Sequence, residues 1–197
     1  MNRPCCINNA FQHARVRVHR AYTLVEMLLT VAILAIAATM VIPSMGDSDT
    51  LRVQAAIRVI VADLTFAQSD ALAFQQRRAI VFNEATNSYA IYEVNGATLD
   101  QTNDLLDSNF GVGGQYIRNL NDNVYAGATI SDIDFDYGGT LVFGSAILIF
   151  DELGGPVNSL QGDGASLGGY IEITGNDQTY RVNVDGYTGR ITVQKMP

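Results

Sequence analysis

Hydrophobic and polar positions divide the chain into stretches of different period. Residues 27–42 carry no charge, and Thr30 and Thr39 are their only polar side chains. Counted from Tyr22, the run to Ile42 is 21 residues. As a helix rising 1.5 Å per residue it is about 31 Å long, the thickness of a hydrocarbon core, so the pattern predicts a membrane span over 22–43. A polar stretch, 44–49, follows Pro43. Then Val53, Ile57, Ile60, Leu64, Ala67, Ala71 and Phe74 recur at spacings of four and three, one face of a helix, with Arg52, Arg58, Asp63, Gln68, Ser69, Gln75 and Gln76 elsewhere. Without regular flanking charge pairs, this seam predicts packing on a sheet rather than a coiled coil. Arg77 and Arg78 are expected to close the helix, where cations meet the negative end of its dipole.

After residue 78 the period shortens to two. Runs rich in Val, Ile, Phe and Tyr at 79–83 and 88–94, around a turn at 84–87, read as a hairpin. Further strands are expected at 115–118, 124–130, 140–143, 146–150, 170–174, 179–184 and 190–194, with turn chemistry at 175–177 and 185–189 joining the last three into an antiparallel meander. Residues 95–115 and 151–169 are rich in Gly, Asn and Asp without sustained period and read as long loops. The predicted fold class is α+β: a long N-terminal helix, transmembrane in its first half, packed on antiparallel β-sheet. The predicted divisions are a basic leader (1–21), the span (22–43), an amphipathic continuation of the helix (44–78) and a β-rich globular domain (79–197).

Charge sharpens this division. Residues 1–21 hold four arginines and no acid, which leaves 8 basic and all 20 acidic residues for the remainder, a formal net charge of −12. A basic flank beside a span and an acidic domain beyond it is the positive-inside arrangement, with the N-terminus cytoplasmic and the globular domain outside the cytoplasm. Both cysteines, Cys5 and Cys6, and both histidines, His13 and His19, lie in the leader. A domain without either type offers no thiolate or imidazole for metal binding or general-base catalysis, and no other nucleophile has an evident activating partner. The reading is therefore not an enzyme and no cofactor.

One residue does not suit a plain anchor. Glu26 falls within the apolar run, where a carboxylate costs about 2.5–3.5 kcal/mol at a helix centre and less near an end. The sequence from Arg20 through Ala21, Tyr22, Thr23, Leu24, Val25 and Glu26 into the apolar span, with Pro43 at its end, resembles the processing site of type IV pilins and type II secretion pseudopilins. Ala21 and Tyr22 stand where that family usually has Gly and Phe. The resemblance implies that a prepilin peptidase cuts between Ala21 and Tyr22 and methylates the new amine of Tyr22. It also implies that Thr23, Leu24, Glu26 and Pro43 serve assembly with other pilin or pseudopilin subunits. A secretory signal peptide, with Ala35-Ile36-Ala37 as its cleavage site, is the competing reading of the same run. Against it, the run overshoots an ordinary apolar h-region of about 7–15 residues and contains an acid.

Two further segments are similar to the GspH/FimT-type minor pseudopilins: Asp63-Leu64-x-Phe66-Ala67-Gln68-Ser69-x-Ala71-Leu72 with the two arginines and Ala79-Ile80-Val81-Phe82, and the closing run from Val184 to Val193. The resemblance implies a structural subunit of an envelope machine, held in the bacterial inner membrane before it joins a filament. A DNA-uptake receptor of pilin type and a soluble β-rich domain freed by signal peptidase are the alternatives. Some relatives bind DNA through a basic Gly-Arg-x-Arg tail. Here Gly189-Arg190-Ile191-Thr192 lacks the second arginine, and an acidic domain repels phosphate. Asp132, Asp134 and Asp136 start like a calcium loop, but Phe143 occupies the twelfth position, where such a loop places Glu. On a strand the three would share one side and form a solvated acidic edge.

Overall fold

The computed structural model describes residues 22–41, 47–108, 112–138 and 146–197. They fall into two compact units that divide after Ser44. The first contains helix α1, Leu24–Val41. Ala21, Ile42, Pro43 and the expected strand at 140–143 lie outside the described residues. The 18 residues of α1 rise about 27 Å, slightly less than a hydrocarbon core. No helix among the described residues is long and apolar enough to cross a membrane.

The second unit opens with α2, Asp47–Phe74. It packs on two antiparallel sheets built from β1 (Arg78–Asn83), β2 (Ser88–Glu93), β3 (Ile117–Asn119), β4 (Thr129–Phe135), β5 (Ala146–Phe150), β6 (Pro156–Val157), β7 (Gly168–Gly175), β8 (Gln178–Asp185) and β9 (Ile191–Lys195). One sheet runs β3-β2-β1-β5-β6 and the other β4-β7-β8-β9. The α+β architecture with an N-terminal helix on antiparallel sheet is thus present, though the sequence pattern did not divide the strands between two sheets.

The helical seam is buried from Val53 to Ala71, against Ile80, Phe82, Ile91, Leu148 and Phe150 of the first sheet and Ile171, Ile173, Val182 and Val184 of the second. Two assignments within α2 change. Phe74 is exposed, because the helix stops there: Gln75 adopts a left-handed conformation (φ 50°) and the Gln76 N–H reaches back to the Ala71 carbonyl at 3.2 Å, a Schellman-type ending. Asp63, placed off the seam by spacing alone, is buried. The arginines do not close the helix; Arg78 begins β1, and both are buried in ion pairs.

The first sheet is covered on both sides. Its second face, with Ala79, Val81, Ala90, Tyr92, Ile147 and Ile149, packs under Leu99 and Leu160 from the two long loops. The described part of the loop over 95–115 is therefore a structured cover, tied to β2 by Leu106 N–H to Ile91 C=O at 2.9 Å and Glu93 N–H to Asp104 C=O at 2.7 Å.

The expected strand at 124–130 is displaced to β4. Turns closed by Tyr125 N–H to Asp122 C=O and Ala128 N–H to Tyr125 C=O occupy its first half. Asn87, at the end of the β1–β2 turn with φ 49°, then accepts from the Ile130 N–H at 2.9 Å and donates to the Ala128 carbonyl at 2.9 Å. One hairpin side chain thus positions the start of a strand in the other sheet. A bulge between Ile130 and Asp132 supplies the extra residue that lets Ile130, Ile133 and Phe135 all meet the core. β4 is an edge strand with Asp132 and Asp134 exposed on it, while Asp136, expected on the same side, falls beyond the end of the strand and is half-buried.

Candidate functional site

The N-terminal unit presents its motif residues in an orderly way. Thr23 caps α1: its hydroxyl accepts the Glu26 N–H at 3.2 Å, and its carbonyl accepts the Met27 N–H at 3.1 Å as the first helical bond. Thr23-x-x-Glu26 therefore has the spacing of a capping box, a local signal open to sequence reading that the family resemblance overshadowed. Glu26 also sits in the first turn, where a negative charge suits the helix dipole. Among the described residues its carboxylate has no side-chain or backbone partner. Tyr22, Leu24, Val25, Leu28 and Ile33 are exposed, as are the other large apolar residues of 22–36. An apolar helix uncovered all round, with an acid in its first turn, is built to be covered by lipid or by other helices.

In the second unit, the polar residues of the α2 segment form a joint that fastens helix to sheet. Asp63 accepts from Tyr89 Oη at 2.6 Å, Tyr116 Oη at 2.8 Å and Arg118 Nε at 3.0 Å. Phe66 stacks on the Tyr116 ring, centroids 5.2 Å apart. Burial, then the charge of Asp63 and its hydrogen bond, hold the Tyr89 hydroxyl well above its ordinary pKa. Burial and then the Asp63 hydrogen bond push Tyr116 up to about 12. Burial alone would lower Arg118, but the hydrogen bond and charge of Asp63 outweigh it and raise the guanidinium further. These shifts keep both phenols neutral and the arginine charged, as a donor set around one carboxylate requires.

About two turns on from Asp63, Asp70 accepts from Arg78 Nε at 2.5 Å, and the Phe74 ring lies 5.8 Å from the guanidinium carbon of Arg78. Arg77 donates to Glu152 at 3.2 Å, to Asp163 at 2.7 Å and to the carbonyls of Leu160 and Gly162. Gln68 Nε2 donates to the Gly154 carbonyl at 2.8 Å. Gly189 closes over the same place with φ 65°, and a Cβ there would lie 2.5 Å from Gln68 Nε2 and 3.0 Å from the Gly154 oxygen. The two segments that carried the narrower resemblance therefore meet in space. Their polar residues tie α2 to the strands and loops around it; of these, Asp63 and Gln68 were placed off the apolar seam beforehand, while Asp70 and the partners of all three were not foreseen.

The remaining candidates stay apart. Arg190 is exposed beside the carboxylate of Asp185, and Lys195 lies over the Tyr180 ring at 6.0 Å. Asp132 accepts from Tyr170 Oη at 2.9 Å and Asp136 from the Leu167 N–H at 2.7 Å. Among the described residues no cluster of His, Cys, Asp or Glu is arranged to hold a metal ion.

Residues 16–42 match the family described as the prokaryotic N-terminal methylation motif, and α1 lies within them. Among solved structures, the chain is similar to the minor pseudopilin EpsH from the type 2 secretion system of Vibrio cholerae. The identity is 12%, over 73% of this chain and 97% of that one, with a TM-score of 0.48, a likeness too loose to transfer residue roles. No curated protein matches the chain.

Proposed function

We propose that this chain is a minor pseudopilin or pilin-like structural subunit of GspH/FimT type in a type II secretion or type IV pilus-like envelope machine. The observation that carries the reading is the methylation motif at 16–42 continuing into an exposed apolar helix whose first turn bears Glu26. A prepilin peptidase cuts between Ala21 and Tyr22 and methylates the Tyr22 amine. The segment over 22–43 spans the inner membrane until the subunit is drawn into a filament, with the acidic domain on the extracytoplasmic side. Cleavage creates an α-amine with an unperturbed pKa of about 7.7–8.0, largely protonated at neutral pH, and methylation leaves it basic. The amine of one subunit pairs with Glu26 of a neighbour staggered along the axis. In a low-dielectric surround that pairing offsets desolvation that either charge alone would bear. Thr23 and Leu24 set the start of the helix that presents both groups.

Intact-mass and N-terminal peptide analysis of the membrane fraction tests the reading. A methylated Tyr22 terminus is expected. A terminus after Ala35 or Ala37, with the protein soluble, would overturn both the processing site and the assembly role.

A further inference from the structure

Asn95-Gly96 is the one Asn-Gly pair in the chain. Glycine after asparagine leaves the intervening main-chain nitrogen unshielded, and at Gly96 a Cβ would meet nothing within 4 Å. Asn95 is exposed, and among the described residues the Gly96 N–H makes no hydrogen bond. A nucleophile and an electrophile therefore stand side by side, the Gly96 nitrogen and Asn95 Cγ. When they join, a new N–Cγ bond closes a cyclic imide, the Gly96 amide proton passes to water, and the side-chain nitrogen leaves as ammonia. Water then adds to either carbonyl of the ring, and the C–N bond that breaks decides between aspartate and isoaspartate.

The position of this pair gives the reaction a consequence. Asn95 Oδ1 accepts from Gln76 Nε2, just past the end of α2, at 2.8 Å, and Asn95 Nδ2 donates to Asp104 Oδ1 at 2.9 Å. Asp104 organises the loop. Its Oδ2 accepts the Asp100 N–H at 2.7 Å, its N–H donates to the Asp100 carbonyl at 3.1 Å, and its carbonyl accepts the Glu93 N–H at 2.7 Å. On either side of it Leu99 and Leu105 pack over Ala79, Val81 and Tyr92 on the second face of the first sheet. Both bonds of the Asn95 side chain lie at the surface, where water competes for them and they hold it only weakly. Either product loses the Nδ2 donor and sets a carboxylate against that of Asp104, a like-charge contact. The Gln76 bond survives, because a carboxylate also accepts it. Isoaspartate in addition lengthens the main chain by one carbon beside Val94, whose N–H donates to the Arg77 carbonyl at 3.1 Å. We propose that Asn95-Gly96 is a deamidation site whose conversion, which consumes only water, unfastens the 95–106 cover and opens the second face of the first sheet. This modification lies in the globular unit and does not depend on the assembly reading.

The test uses the full chain in detergent, aged in neutral buffer and sampled by peptide mass spectrometry. Expected is the mass gain of an amide-to-acid exchange at position 95 before any other asparagine converts, with isoaspartate exceeding aspartate. Gly96→Ala, which the open space admits, should slow the conversion several-fold. Hydrogen exchange on fresh protein reads the consequence. Asn95→Asp should reduce protection of the Glu93 and Leu106 N–H groups several-fold, while protection in β7 and β8 stays as in the parent. Asn95→Asp combined with Asp104→Asn should restore it, since donor and acceptor have then changed places. Conversion of Asn95 no faster than that of the other asparagines would overturn the site. Glu93 and Leu106 as well protected in Asn95→Asp as in the parent would overturn the release of the cover.

Discussion

Replacing Asp63 by Ala removes the one acceptor shared by Tyr89, Tyr116 and Arg118, and the structure sets the expected cost. The carboxylate is 7% exposed, so water does not replace it, and two phenolic donors are left buried without an acceptor. Breaking a buried ion pair from one side costs about 3–5 kcal/mol. Arg118 is 22% exposed and can recover some hydration, which places the loss near the lower end, about 3 kcal/mol. That is a large share of the roughly 5–15 kcal/mol that keeps a domain folded. For a domain of this size each kcal/mol shifts Tm by about 2–4 °C, so a fall of about 6–12 °C is expected. Thermal unfolding followed by near-ultraviolet circular dichroism, in detergent for the full chain, reports the tyrosine environment directly. Asp63→Asn, which keeps one acceptor oxygen, should lose less, and a double-mutant cycle with Arg118→Met should show coupling above about 1 kcal/mol. A Tm within about 2 °C of the parent for Asp63→Ala would show that the network behaves as a solvated surface pair and that the helix–sheet joint lies elsewhere.

Glu26→Ala should leave insertion and processing at Tyr22 unchanged while reducing crosslinking between subunits and activity of the machine; normal assembly of the variant would remove Glu26 as the register device. The purified domain lacking the first 45 or so residues should show no duplex binding at physiological salt, even at the roughly 10⁻⁴ to 10⁻⁶ M typical of nonspecific binding by basic proteins. Micromolar binding weakened by Arg190→Ala would instead favour a DNA-uptake role. Stability should also fall at alkaline pH. The folded pKa values of Tyr89 and Tyr116 lie above the ordinary tyrosine value of 10.0, so their contribution is complete below pH 10 and is lost as pH rises through the folded values, about 12 for Tyr116. Denaturant titrations from pH 9 to 12 should show this decline, and Tyr116→Phe should flatten it.

Local pattern carried a large part of this protein. The seam Val53, Ile57, Ile60, Leu64, Ala67 and Ala71 needed only helical periodicity, because residues three and four apart share a face whatever lies opposite. The β1–β2 hairpin and the β7–β8–β9 meander were legible because adjacent strands joined by short turns pair with each other before any distant choice is made. The motif from Ala21 to Glu26 was readable for the same reason: its chemistry is contiguous. Tertiary structure decided what depends on partners far along the chain. Asp63 fell off the apolar seam by spacing, and only Tyr89, Tyr116 and Arg118, all outside the helix, gave it a buried place. Arg77 and Arg78 looked like a helix terminus until the fold buried their side chains and paired them with Asp70, Glu152 and Asp163. The start of β4 is held by Asn87 of the β1–β2 hairpin, a single side chain that bonds to the backbone around Ile130 and has no periodicity to reveal it. Burial of a polar group is stable only when specific donors and acceptors converge on it, and that convergence is a property of the folded chain, not of its spacing.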